Sequence, residues 1–166
     1  MCLAVVALDA HPRYTLIVAA NRDEFHARPT QPAHWWTDDT GAGILAGRDL
    51  RHGGTWLGVS RAGRWAFVTN VREPKRHDPL APSRGALVPA VLRSDATVER
   101  SVEAAIAHAG SVNGFNLLAG EGVEAAFGSN RRSLLRSLDA GIHGISNAHL
   151  DDPWPKVARV RSGVAA

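Results

Sequence analysis

Cys2 is the only cysteine in the 166 residues, and it stands next to the initiator methionine. A small residue in second place normally lets Met1 be removed, which would leave a cysteine with a free α-amine. Such an amine titrates near about 7.7–8.0, so much of it is neutral at pH 7 and able to take the thiol's proton, directly or through water. Nucleophile and base then belong to one residue, a pairing suited to acyl transfer. The plainer reading is a small residue opening a core strand, and the two are separated only by what the fold brings to the terminus.

The segment "LIVAANRDEFHARPT", residues 16–30, bears on that question. Its apolar run ends directly in Asn21-Arg22-Asp23-Glu24. Residues 2–8 and 14–20 read as two strands around the turn-like "DAHPR". Paired antiparallel about residues 11–12, their residue numbers sum to about 23, which sets Cys2 opposite Asn21 with Arg22 and Asp23 beside it. Strand alternation places Asn21 and Asp23 on one face, Arg22 and Glu24 on the other. A guanidinium beside the thiol favours the thiolate, and a carboxylate could hold or orient the amine. Thr69-Asn70 in "AFVTNV" and Ser146-Asn147 in "GISNAH" close later strands. An asparagine amide or a strand-end N–H is a suitable oxyanion donor, although an asparagine at a strand end is more commonly a turn residue.

Composition narrows the alternatives. The length suits a single domain over residues 1–166, with 45% hydrophobic and 21% charged residues, as in globular proteins. No apolar run is long enough for a transmembrane helix, and "MCLAVVALDA" has no basic leader region, so it reads as a strand. A net charge of +3 is spread over scattered arginines, with dense basic spots only at "PKRHD" and "NRR". This gives no clustered face for nucleic acid. A lone cysteine fits a reducing, cytoplasmic compartment. "GAGILA" matches a dinucleotide fingerprint formally, but no strand precedes Gly41 and no helix can follow, so it reads as a turn feeding a strand. The eight histidines lack metal-binding spacing, and no metal site is expected.

The elements that must position the candidates follow from periodicity. "GILAGRD", "GTWLGVS" and "RWAFVTNV" suggest an antiparallel meander, whereas residues 25–42 read as irregular and "REPKRHDPLAPS" as a loop. Ser83 caps a helix over about 84–93 that Pro89 kinks or shortens. A second helix lies in "ATVERSVEAAIAHAG" and ends at Gly110. "GFNLLAG" and "VEAAFGS" form a hairpin, and "DPWPKVARVR" starts a helix with Pro153 or Pro155 near its first turn. Strands, two helices and more strands give an α+β fold with a largely antiparallel sheet.

Taken in order, "MCLAVVAL", "AANRDEFHARPT", "ILAGRDLRHGGTWLGVS", "GRWAFVTNVRE", "RGALV", "NGFNLLAG" and "GISNAHLDDPWPKVARVR" resemble the NRDE family, that of transport and Golgi organisation protein 2. The resemblance covers about residues 1–161. It implies an N-terminal-nucleophile hydrolase-like fold, with antiparallel sheets packed between helical layers in αββα order. It also implies kinship with amide-cleaving acylases. By position, Cys2 becomes nucleophile and base, Arg22 and Asp23 its electrostatic partners, and Asn70 and Asn147 its polar strand-end contacts. In those acylases the arginine and aspartate are not adjacent, and a late arginine of their sites has no counterpart here. The family usually continues past "PWPKV", so the resemblance also implies a last layer shortened at the C-terminus.

Two functions follow. The first is a Cys2-dependent hydrolase of an amide or thioester bond in a small acylated molecule, with no cofactor. The alternative is a non-catalytic protein that binds and traffics haem, acyl-coenzyme A or lipid, in which haem would be cargo. Arg22, Arg28 and Arg48 would meet phosphates, and Trp35, Trp36 and Trp56 would line an apolar slot. Asn21, Glu24 and Thr69 complete the expected binding residues.

Overall fold

The computed structural model describes residues 2–37, 43–131 and 134–165. Gly41, the second arginine of "NRR" and Met1, on which the dinucleotide, basic-spot and processing readings bear, lie outside them.

Two antiparallel sheets make the body of the molecule. The smaller has β1 (Leu3–His11) at its centre, β2 (Tyr14–Asn21) on one side and β10 (Gly141–Ile145) on the other. The larger runs in chain order through β3 (Thr30–Trp35), β4 (Ile44–Asp49), β5 (Leu57–Ser60), β6 (Trp65–Asn70), β7 (Phe115–Glu121), β8 (Glu124–Ser129) and β9 (Leu134–Ser137).

Strand alternation sorts the apolar residues into layers. Ala4, Val6 and Leu8 of β1 pack with Ile145, Trp65, Phe67, Leu118 and Phe127 between the sheets. The alternate residues of the larger sheet, Ala66, Val68, Leu117 and Ala119, meet Val88, Val91, Leu92 and Val102. Those belong to α1 (Leu87–Leu92) and α2 (Val98–Ala107). On the far side of the small sheet α3 (Pro155–Ala165) lies on β1 and β10. Val5 and Ala7 are buried there. The order is helix, sheet, sheet, helices. The "LAVVAL" run is continuous because β1 is covered on both faces.

Local signals act as expected at most boundaries. Ser83 Oγ accepts from Gly85 N (3.2 Å) at a 3-10 turn over Arg84–Ala86 that leads into α1. Pro89 falls in the first turn of that six-residue helix, where no backbone donor is required of it. Thr97 Oγ1 caps α2, and Pro155 is the first residue of α3.

Two segments differ from expectation. Residues 30–35, read as irregular, form β3, whose register shifts between Gln31 and His34. Pro32 can be housed there because β3 is an edge strand, and only one side of it needs ladder donors. The hairpin register also differs. The turn is centred between Pro12 and Arg13, where His11 pairs with Tyr14 and the numbers sum to 25, and a bulge between Leu8 and His11 brings the sum to 24 from Leu8–Leu16 to Leu3–Asn21. Cys2 is therefore level with Arg22, one position from the expected register, and it continues the face that looks between the sheets.

The segment leaving β10 is pinned by His143. Its Nδ1 lies 3.0 Å from Asp151 Oδ2 and its Nε2 3.0 Å from the Asp139 carbonyl, while Asp151 Oδ1 accepts from Gly144 N at 2.8 Å. Two acceptors on one imidazole call for both ring nitrogens to donate. The hydrogen bond to Asp151 accordingly raises the His143 pKa, against burial and the nearby Arg136. A raised folded-state value means this stabilisation is complete below the ordinary histidine pKa of about 6.5 and is lost as pH rises through the folded value. Urea midpoints should fall across that window by about 1 kcal/mol or less, given the partial exposure. His143→Gln should flatten that part of the profile.

Candidate active site

The strand ends of both sheets converge on one edge, and hydrogen bonds stitch them together there. Ser146 Oγ, just past β10, donates to the Cys2 carbonyl at 2.7 Å. Asn147 Nδ2 donates to the Asn70 carbonyl at the end of β6 (2.9 Å), and Arg72 N donates to the Asn147 carbonyl (2.8 Å). Beneath them Asn116 Nδ2 reaches the Ala148 carbonyl at 2.6 Å and Thr69 Oγ1 at 3.4 Å. Asn70 and Asn147 are thus held by bonds that run between the two sheets, and Cys2 is tied to the same segment by a bond within the smaller sheet.

The polar block after β2 lies beside this seam. The alternation read from the sequence holds. Asn21 Nδ2 bonds Asp23 Oδ1 (2.9 Å), and Arg22 Nη2 pairs with Glu24 Oε2 (3.0 Å). Arg22 also lies flat over Trp56, 4.0 Å from the ring centroid. The same Glu24 oxygen takes Arg28 Nη1 at 3.0 Å, and Arg28 Nη2 reaches Asp49 Oδ2 at 2.6 Å. A chain of alternating charge therefore runs from Trp56 through Arg22, Glu24 and Arg28 to the buried Asp49.

That chain is one wall of a cleft of about 200 Å³, lined also by Cys2, Asp23, Asn70 and the loop from His77 to Gly85. A second cleft of about 300 Å³ adjoins it, lined by Arg72, Glu73, Arg76, Gly114 and Asn147, and shares Asn70, His77, Arg84 and Asn113 with the first. The loop is held against β4 and β5 by close backbone approach. Thr55 N donates to the Gly85 carbonyl (3.0 Å), and a Cβ on Gly54 would come within 2.5 Å of the Gly85 backbone. Only glycine permits that contact.

Of the residues singled out from the sequence, Cys2, Arg22, Asp23, Glu24, Arg28, Trp56 and Asn70 line the first cleft, and Asn147 the second. The remaining three are elsewhere. Asn21 is turned onto Asp23. Thr69 is buried below the seam. Arg48 stacks on Trp36 at 4.5 Å, with Nε on the Gly53 carbonyl at 3.3 Å. Trp36 itself belongs to the core under α1 and α2. Sequence reasoning missed Asp49 and Arg84. Asp49 stood in "AGRDLRHGG", where an arginine–aspartate pair repeats that of "NRDE". Arg84 stood in "RGALV", which carried the family resemblance without any assigned role.

The electrostatics of Cys2 differ from the simple expectation of an arginine-activated thiolate. Burial raises the thiol pKa and outweighs the terminal positive charge, the backbone N–H of Asp23 on the sulfur and the Arg22 guanidinium, while the Asp23 carboxylate adds to the rise. The resting group is a neutral thiol with a donor already aimed at its sulfur. It needs a base when it reacts.

The family model "Transport and Golgi organisation 2" matches residues 1–166. The chain belongs to this family. It is 35% identical to the mouse Transport and Golgi organization 2 homolog, 36% to the bovine and 35% to the human homolog. Each match takes in 95% of this chain and 60% of the relative. The chain thus spans about three-fifths of the length of these Transport and Golgi organisation 2 relatives. None of its described helices is long and apolar enough to cross a membrane.

The Arg28–Asp49 pair gives an acid-side prediction. Burial pushes the Asp49 pKa up, but the hydrogen bonds from Arg28 and Arg51 N and the charges of Arg28 and His52 more than offset it, so the value is depressed. Stability from this group is complete above the unfolded value of about 3.9 and is lost as pH falls through the lower folded value. Asp49→Asn should cost about 1–3 kcal/mol at pH 7 and remove that acid-side slope. Urea titrations between pH 2 and 7 measure both effects.

Proposed function

We propose that the chain, once its initiator methionine is removed, is a Cys2-dependent N-terminal-nucleophile hydrolase acting on the amide or thioester bond of a small acylated molecule. The observation that carries this reading is the place of Cys2. Cys2 lies in a charged cleft with a backbone donor on its sulfur. The layer order, with a central strand buried on both faces and Cys2 at the strand-end edge, supports this reading.

The chemistry balances as follows. The neutral α-amine of Cys2 accepts the thiol proton, and the sulfur attacks the substrate carbonyl carbon. The Asn70 side chain, in the cleft lining, would donate to the developing oxyanion. Asn147 positions Asn70 through its amide on the Asn70 carbonyl. Collapse of the tetrahedral species breaks the bond to the leaving amine or thiol, which takes the proton from the α-ammonium, and leaves an acyl thioester on Cys2. Water then attacks that thioester and gives its proton to the amine; the carbon–sulfur bond breaks, the α-ammonium returns the proton to the Cys2 sulfur, and a carboxylic acid is released. A raised thiol pKa suits this route, because the proton leaves only when the amine is in place to receive it.

The competing reading is a non-catalytic carrier of haem, acyl-coenzyme A or lipid. The neutral, partly buried thiol favours it, since a carrier needs no nucleophile. What counts against it is the lining: the first cleft is walled by paired charges, Arg22, Glu24, Arg28 and Asp49, and offers little apolar surface to a haem or an acyl chain.

Intact-mass spectrometry decides between them. Protein with Cys2 as its first residue, mixed with S-phenyl thioacetate, should gain one acetyl group on Cys2 and release it by hydrolysis. Cys2→Ala should show no adduct. Blocking the amine by retaining Met1 should slow turnover by about 10²–10⁴, the usual worth of a general base. A processed protein that never acylates while still binding an acyl ligand would establish the carrier instead.

A further inference from the structure

The charges are divided unevenly between the two clefts. In the first, Arg22 and Arg28 are matched by Glu24 and Asp49 through contacts of 2.6–3.0 Å. In the second, Arg72, Arg76 and Arg84 face a single lining carboxylate, Glu73, which is already bonded to Arg131. The positive surplus is on the second side.

Arg84 stands on the boundary and lines both clefts. It is half-buried, its Nη1 donates to the Gly114 carbonyl at 3.0 Å, and no described carboxylate oxygen lies within 4 Å of its guanidinium. In this it differs from Arg22, Arg28, Arg64 and Arg131, each of which has such a partner. Burial lowers its pKa, the mark of a cation drawn from water without a full counter-charge. Its backbone is fixed by the Ser83 cap before it and the Gly54–Gly85 contact after it, so the guanidinium is presented from a rigid turn. A planar fork held in that way matches a carboxylate or a phosphate, which can accept two parallel hydrogen bonds.

We infer that Arg84 is the anion-recognising residue of the site, and that the ligand carries an oxyanionic group, a carboxylate or a phosphate, seated across Arg84 in the second cleft while its acyl group lies beside Cys2. Only the reactive end of the ligand rests on the proposed role of Cys2; recognition of the anion does not.

Equilibrium binding tests the inference without turnover. Cys2→Ala protein is titrated calorimetrically with N-acetyl-β-alanine, O-phospho-N-acetylethanolamine and neutral N-acetyl-β-alaninamide. One or both anionic ligands should bind at least tenfold more tightly than the amide, and whichever does identifies the source of the anion. Arg84→Gln should reduce that ratio to near one, and Arg84→Lys should restore part of it. Equal binding of all three by Cys2→Ala protein overturns the inference whatever either arginine variant does, and so does a preference that survives in folded Arg84→Gln. Acylation of Cys2 is scored separately with the neutral S-phenyl thioacetate. A failed nucleophile and a failed anion site therefore give different results.

Discussion

The burial of β1 on both faces is the constraint from which the rest of the molecule follows. A strand sandwiched between an inter-sheet core and α3 has no freedom of register, because a slip of one residue would exchange its two apolar faces and displace Ile145, Trp65 and Phe127 on one side and Val157 on the other. With β1 fixed from Leu3, Cys2 can only emerge at the strand-end edge where β6 and β10 also finish. Both sheets must end at a common level for the Asn147–Asn70 bond to form, and the Ser146 bond within the smaller sheet ties Cys2 to the same segment.

The charged wall solves a different problem. Three arginines beside a partly buried thiol would repel one another and leave costly desolvated charge. Interleaving Glu24 and Asp49 removes most of that cost for Arg22 and Arg28, and stacking on Trp56 orients the first of them. Their charge is therefore largely spent within the wall. This explains why Arg22, though close to Cys2, fails to pull the thiol pKa below its ordinary value against burial. The cation left with capacity to act on a ligand is Arg84.

The strongest periodic signals in the sequence corresponded to real elements: the first hairpin, the meander of β4 to β6, the β7–β8 hairpin and the capped helices. Edge strands were the weak point. β3 contains Pro32 and a register shift, so neither alternation nor composition marks it. Hairpin arithmetic brought "NRDE" to Cys2, but it missed by one residue, since the turn is centred later than expected and the bulge near Asp9 (φ 45°) takes back only one of the two positions. Seven of the eleven candidate residues line the first cleft because strand ends and family motifs both pointed there. Arg84 and Asp49 escaped for a physical reason. Arg84 reaches the cleft from a loop whose path depends on the Gly54–Gly85 contact, and Asp49, at the end of β4, is tied to it by Arg28 from 21 positions away; no local pattern encodes either contact.

The bond from Ser146 to the Cys2 carbonyl joins residues 144 positions apart, and β1 takes β10 as its neighbour across almost the same separation. Closure of so long a loop comes late in folding, after local hairpins have formed. On a ribosome the first residues are translated long before β10 exists, so β1 has β2 beside it early but neither β10 nor the completed cleft until later. The interval leaves the surroundings of Cys2 unfinished until β10 has been translated. The order of strands in the chain thereby sets when the cleft is assembled.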